Sequence, residues 1–377
     1  MKNLSVYVHI PFCRQRCYYC DFVSSTNCSD TNMLRYVNAV KRELGLSDKI
    51  FNLKNYNLDT LYFGGGTPSL LKSDYFRSIL EELFLIWPNF KGEMTFEANP
   101  NSISENLILD LKNMGFNRIS IGIQSLNDAT LSSVGRLHNA NEAINALNLC
   151  NSYNLNISVD LMLGLPGQSK EDIFSFIDTV TKYENVNHIS TYMLSVEEGT
   201  KLDKLVKEGV ITVASDDEKV DLFDYASMLL KSKGFNRYEV SNFAKDGFES
   251  KHNSRYWELK DYLGLGISSH SLMGNKRFYN PSSFDDYYKS IEIDKLAYLE
   301  EENLSDEDLE KEYIMLALRT AKGIDLNEFQ EKFNIDFSKK YANEIEDCLK
   351  YLNINNNNIS IKDKYLNTMN SIVLKFI

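Results

Sequence analysis

The chain is short of cysteine, of surplus basic charge and of long apolar runs, and each shortage excludes a class of protein. Six cysteines in 377 residues are too few for a disulfide scaffold and fit a reducing cytosol. Lys and Arg together number 41 against 53 Asp and Glu, a net charge of −12. No basic cluster stands out, so the chain lacks the footprint of a nucleic-acid binder. No stretch approaches the roughly 20 apolar residues of a membrane span. The opening residues, MKNLSVYVHIPFC, carry neither a long apolar segment nor a cleavage site, so a cytoplasmic protein is expected. Contact with a membrane surface and assembly into a homodimer stay open.

Half of the cysteines are crowded together. Cys13, Cys17 and Cys20 fall within eight residues at C-x3-C-x2-C spacing, inside HIPFCRQRCYYCDF. Three thiols cannot all pair as disulfides, and a loop this short lets three sulfurs face one point. That suits a cubane iron–sulfur cluster, whose fourth iron would stay open to a small molecule. A structural zinc ion closed by His9 or Cys28 is the other reading, although the spacing differs from paired CxxC knuckles. Cys28, Cys150 and Cys348 read as ordinary buried or free thiols.

Strands and helices alternate through the next 190 residues. Strands are expected at 4–10, 58–63, 92–98, 118–124, 157–164 and 188–196, with helices between them. Ser73, Ser104 and Ser169 are candidate helix caps. Such a series predicts an α/β fold: a partial (β/α)6 barrel of parallel strands. Gly64, Gly65 and Gly66 follow the second strand directly, which implies that the backbone there approaches something closely. Glu97 and Gln124 end the third and fourth strands, whereas Asp160 lies within the fifth. In such barrels the C-terminal strand ends build the active site.

A long helix is expected at 216–233, followed by a segment rich in aromatics and glycine that holds two histidines. The run LEEENLSDEDLEKE (299–312) reads as a solvated linker and helix start. It divides a barrel domain with its HNxxYW extension, about 1–290, from a small helical, winged-helix-like domain at 300–377. There, NINNNNIS (353–360) reads as a tight turn.

Taken jointly, YVHIPFCxxxCxxCDF, YFGGGTPS, GIQS with Arg136 twelve residues on, DLMLGLPGQ and HNxxYW resemble the radical S-adenosylmethionine (SAM) family. The likeness is narrowest to the branch holding the oxygen-independent coproporphyrinogen III oxidases and the HemW haem chaperones. It runs from about residue 5 to 275 and more loosely to the end. The resemblance implies a [4Fe–4S] cluster on Cys13, Cys17 and Cys20, whose open iron takes the amino and carboxylate groups of SAM. An electron through the cluster then splits the sulfonium to a 5′-deoxyadenosyl radical. By position, Tyr7 and Tyr19 would lie beside SAM, Gly65, Gly66 and Thr67 would contact its methionine end, and Glu97 would bind it. Gln124, Arg136 and Asp160 match contacts to a second SAM in the oxidases.

Within the branch, three features favour a haem chaperone that passes haem to respiratory haem proteins. Asp21-Phe22 stands where the oxidases have a further cysteine. The oxidases' N-terminal extension has no counterpart ahead of Cys13. His252-Asn253-Ser254-Arg255-Tyr256-Trp257 matches the HNxxYW signature; His252 is expected either as an exposed haem ligand or as a hydrogen-bonded holder of its loop with the aromatics in the core, and His270 is a second candidate ligand. The alternative is oxidative decarboxylation of coproporphyrinogen III to protoporphyrinogen IX. A radical enzyme acting on an unrelated small molecule is a third reading.

Overall fold

The computed structural model describes residues 1–377. Six strands run parallel and neighbour one another in chain order: β1 Lys2–Ile10, β2 Tyr56–Gly65, β3 Glu93–Ala98, β4 Arg118–Gln124, β5 Asn156–Leu163 and β6 Val186–Met193. Period-two alternation explains how they are clothed. On β1, Leu4, Val6, Val8 and Ile10 are fully buried, while Ser5, Tyr7 and His9 point into the barrel.

The helices between strands start where capping chemistry directs. Ser104 accepts from the Leu107 N–H, and Ser169 forms a reciprocal capping box with Asp172. Ser73 does not cap. In its helix, Ser73–Ile86, the cap position is Lys72, one residue earlier, and the Ser73 hydroxyl donates to Asp110 instead. Phe76, Ile79, Leu80 and Leu83 of that helix are buried as their spacing predicts.

The sheet then grows at both ends. The short strands β7 Asn236–Arg237 and β8 Asn242–Ala244 extend it antiparallel beyond β6. At the other end β9 Tyr262–Leu265 lies parallel to β1, and the antiparallel strands β10 His270–Met273, β11 Lys276–Tyr279 and β12 Glu300–Asn303 follow. The result is one sheet of twelve strands in the order β12-β11-β10-β9-β1-β2-β3-β4-β5-β6-β8-β7. Its two outer strands do not pair with each other, so the barrel is open. The helix Lys251–Trp257 reaches into it, with His252 bonded to Thr60 and stacked on Tyr62.

The first part of the acidic run is not a linker. Glu300–Asn303 is a strand, held by pairing with β11 and by the Glu301–Lys276 ion pair. Helix Asp306–Ala317 follows at once, capped by Ser305. The remaining residues gather round a second apolar core with a three-stranded antiparallel sheet of β13 Ile324–Asp325, β14 Leu352–Ile354 and β15 Asn358–Ile361. The asparagine run makes the tight turn: Asn355 Oδ1 accepts from the N–H groups of Asn357 and Asn358. No helix is long and apolar enough to cross a membrane.

Candidate functional site

At the C-terminal ends of the parallel strands lies a cleft of about 410 Å³. Its walls include Cys13, Cys17, Cys20, Tyr19, Gly65, Gly66, Thr67, Glu97, Gln124, Arg136 and Asp160. Residues spread over 148 positions of sequence thus meet because each sits on, or just beyond, a strand that ends at the same face.

The cysteine loop leaves β1 and leans on the glycine loop that leaves β2. Gly66 N–H donates to Ile10 O at 2.8 Å and Thr67 N–H donates to Phe12 O at 2.7 Å. A β-carbon on Gly66 would stand 2.8 Å from Phe12 O, and one on Gly65, at φ +110°, would collide with the His9 ring. The close approach foreseen for these glycines is therefore made first to the protein's own cysteine loop. Thr67 Oγ1 faces Cys13 Sγ at 3.6 Å and accepts from Asn99 Nδ2 at 2.9 Å.

The two proposed closing ligands for zinc are engaged elsewhere. His9 Nε2 donates to Val23 O and its Nδ1 accepts from the Tyr7 hydroxyl, both at 3.0 Å. Cys28 Sγ donates to Cys13 O at 3.4 Å. Three thiols with no fourth ligand suit a cluster that keeps one iron open. Burial pushes the Cys13 and Cys20 thiols up, so loading the site displaces protons.

The opposite wall carries the polar groups. Glu97 Oε1 accepts from the Tyr62 hydroxyl at 2.6 Å and Oε2 from the Gly65 N–H at 3.0 Å. Burial, reinforced by the Asp160 carboxylate, pushes Glu97 up to about 7, and burial pushes Asp160 up to about 6. Arg136 Nη1 reaches Cys17 Sγ at 3.5 Å, and its Nη2 donates to Asn99 Oδ1 at 2.8 Å and to Gly122 O. Its Nε–H has no partner, nor has Gln124 Oε1. An unsatisfied donor and acceptor, both buried, flank the floor that Gly122 leaves bare. Gln124 holds φ +69°, a left-handed conformation rarely adopted outside glycine, kept at the strand end. Such a floor fits a ligand with carboxylate, ammonium and hydroxyl groups.

Two expected site residues lie outside the cleft. Tyr7 sits one layer below, with its ring 6.0 Å from Tyr62. His252 is not exposed: it is 1% accessible, its Nδ1 shares a 2.7 Å hydrogen bond with Thr60 Oγ1, and its Nε2 bonds the Tyr256 hydroxyl at 2.8 Å. Both ring nitrogens are engaged inside the barrel, which corrects its reading as an exposed haem ligand. Asn99, Gly122 and Tyr192 also line the cleft and escaped sequence reasoning. Asn99, directly after β3 in an Asn-Pro turn, carried a usable signal.

The Radical SAM superfamily matches residues 7–180, and the HemN C-terminal domain matches residues 304–364. The haem chaperone HemW of Lactococcus lactis subsp. lactis is 32% identical over 100% of this chain and 98% of its own length. The chain belongs to the HemW family. Within that family the Bacillus subtilis protein is 30% identical over 91% of this chain and 90% of its own. The Escherichia coli HemW is 34% identical over 72% of this chain and 70% of its own. Among solved structures, coproporphyrinogen III oxidase (HemN) from Escherichia coli, a radical SAM enzyme, superposes with a TM-score of 0.84. That match covers 100% of this chain and 90% of the oxidase at 21% identity, so the two share a fold. As a radical SAM family, HemW implies SAM and a [4Fe–4S] cluster, and the cleft's free thiols and unpaired polar atoms fit both.

Proposed function

We propose that this chain is a haem chaperone, which binds haem and hands it to respiratory haem proteins on a scaffold that carries a cluster and SAM. The observation that carries the reading is end-to-end likeness to a HemW haem chaperone, 32% over the whole chain. In this reading Cys13, Cys17 and Cys20 hold the [4Fe–4S] cluster. Gly65, Gly66 and Thr67 present backbone groups to the methionine end of SAM, Glu97 accepts from its ammonium or ribose hydroxyls, and Tyr19 lends an aromatic wall. Arg136, through its unpaired Nε–H, pairs with a carboxylate, and Gln124 Oε1 accepts a further hydrogen bond. Asp160, held by Ser120, completes the polar wall. A cluster with SAM bound there supplies one-electron chemistry. All six cysteines are unpaired, which supports a reducing, cytosolic setting.

The test is anaerobic reconstitution with iron and sulfide, divided between a haem titration followed by absorbance and a porphyrinogen turnover assay with SAM and a reductant. A Soret band without turnover is expected, and an apo haem protein added afterwards should draw the haem away. Absence of haem uptake sinks the reading. Formation of protoporphyrinogen IX would instead make the chain an oxidase.

A further inference from the structure

A haem iron held by imidazole needs a ring nitrogen that the fold has not already used. The chain has five histidines. His9 and His188 commit both nitrogens inside the barrel, His188 to Ser158 Oγ at 2.7 Å and to the Tyr238 hydroxyl at 2.8 Å. His138 is buried, with its Nε2 donating to Ile123 O at 3.0 Å. His252 is enclosed by Thr60 and Tyr256. That leaves His270, the one exposed histidine, with no hydrogen-bond partner acting on its ring.

His270 is also mounted more firmly than a surface histidine requires. It is the first residue of β10, paired with Tyr279 of β11, and the two rings stack at 5.1 Å between centroids and 22° between planes. The turn that precedes it is tied down through its backbone by buried side chains. Gly266 N–H donates to Glu43 Oε2 at 2.8 Å, and Ile267 N–H donates to the Tyr36 hydroxyl at 3.1 Å. Asn280 Nδ2 donates to Gly266 O at 2.8 Å and to Glu43 Oε1 at 2.5 Å. Gly264 is required beneath, because a β-carbon there would collide with His270 O.

The same Tyr36 hydroxyl donates to His9 O at 2.8 Å, on the strand that delivers the cysteine loop. One buried network therefore fixes both the His270 turn and the approach to Cys13. Burial, and then the Arg277 guanidinium, hold His270 below its ordinary value, so the ring is neutral at physiological pH as iron ligation requires.

We propose that His270, and not His252, is the imidazole that ligates haem iron, with the Tyr279 ring steadying it. The assignment rests on the haem-binding reading above and names the ligand within it. The test titrates full-length reconstituted protein with ferric haem, reading Soret position, affinity and the electron paramagnetic resonance of the bound iron. His270→Ala is expected to keep the wild-type melting temperature, because the side chain is exposed. It should lose the imidazole signature and bind haem more weakly by about tenfold or more, since even changes around a metal ligand typically cost about 10- to 100-fold. Free imidazole added to His270→Gly should restore the band, and His270→Met should bind with a shifted spectrum. Unchanged spectra and affinity in His270→Ala would overturn the assignment while leaving haem binding intact. A wild-type protein that takes up no haem would overturn the haem-chaperone reading first, and this assignment with it.

Discussion

Arg136 holds Cys17 and Asn99 in one grip: Nη1 lies 3.5 Å from the Cys17 sulfur, and Nη2 donates to the Asn99 side chain at 2.8 Å. A fixed cation beside a cluster ligand stabilises the more negative, reduced cluster. In Arg136→Met the reduction potential of the reconstituted cluster should therefore fall, as read by redox titration with electron paramagnetic resonance. The same variant loses the Nε–H offered to the cleft, so SAM affinity should drop on the order of 10- to 100-fold, the range for a hydrogen bond to a charged group. A potential that does not move would refute the electrostatic role.

Gly65 meets two separate prohibitions, φ +110° and the His9 ring where a β-carbon would go. Gly65→Ala should destabilise the fold by about 2–4 kcal/mol, combining left-handed strain with overpacking. The denaturation midpoint and the iron content after reconstitution should fall together. Gly115, also at positive φ but with open space round it, is the matched control and should tolerate alanine better.

His252 belongs to the core. Burial holds it neutral, down to about 3, and both nitrogens are satisfied. His252→Ala leaves a cavity and strips partners from Thr60 and Tyr256. A loss of about 2–4 kcal/mol in chemical denaturation is expected, with the haem Soret position unchanged in the folded fraction. A shifted Soret band with full stability would reverse this assignment.

Glu97 gives a pH signature. Its folded value, about 7, lies above the ordinary carboxylate value, so the native state keeps a proton that the unfolded chain releases. Stability should decline as pH rises from the ordinary value towards 7 and level off above it. Glu97→Gln should flatten that slope, leaving the part due to Asp160, raised to about 6. SAM affinity, which uses the ionised carboxylate, should rise with pH through 7 in the wild type and be flat and weaker in Glu97→Gln. Identical pH profiles for the two proteins would remove Glu97 from the site.

What could be read from the sequence was what local rules decide. The six parallel strands follow from residue period and turn residues, and Cys13, Glu97 and Gln124 could be placed because each sits at or near the end of its strand. The failures share one cause, a distant partner. Ser73 looks like a cap, but Asp110 recruits its hydroxyl from 37 residues away and the cap position falls to Lys72. HNxxYW names residues able to meet a haem, but once helix Lys251–Trp257 enters the barrel Thr60, 192 residues away, takes one ring nitrogen of His252, and the motif's own Tyr256 takes the other. The glycine triplet signalled close approach correctly, yet not that His9 and Phe12 are the neighbours approached.

The acidic strand β12 has a consequence for how the molecule behaves in a crowded solution. It is the last strand of a twelve-stranded sheet, and all four of its residues are exposed. A bare edge offers unpaired N–H and C=O groups to any passing strand and is the usual seed of aggregation. Here Glu300, Glu301 and Glu302 stand in succession along it. A second copy laid against this edge would bring three more negative charges to meet them. The acidity that disguises the segment as a linker thus keeps the sheet from recruiting a thirteenth strand.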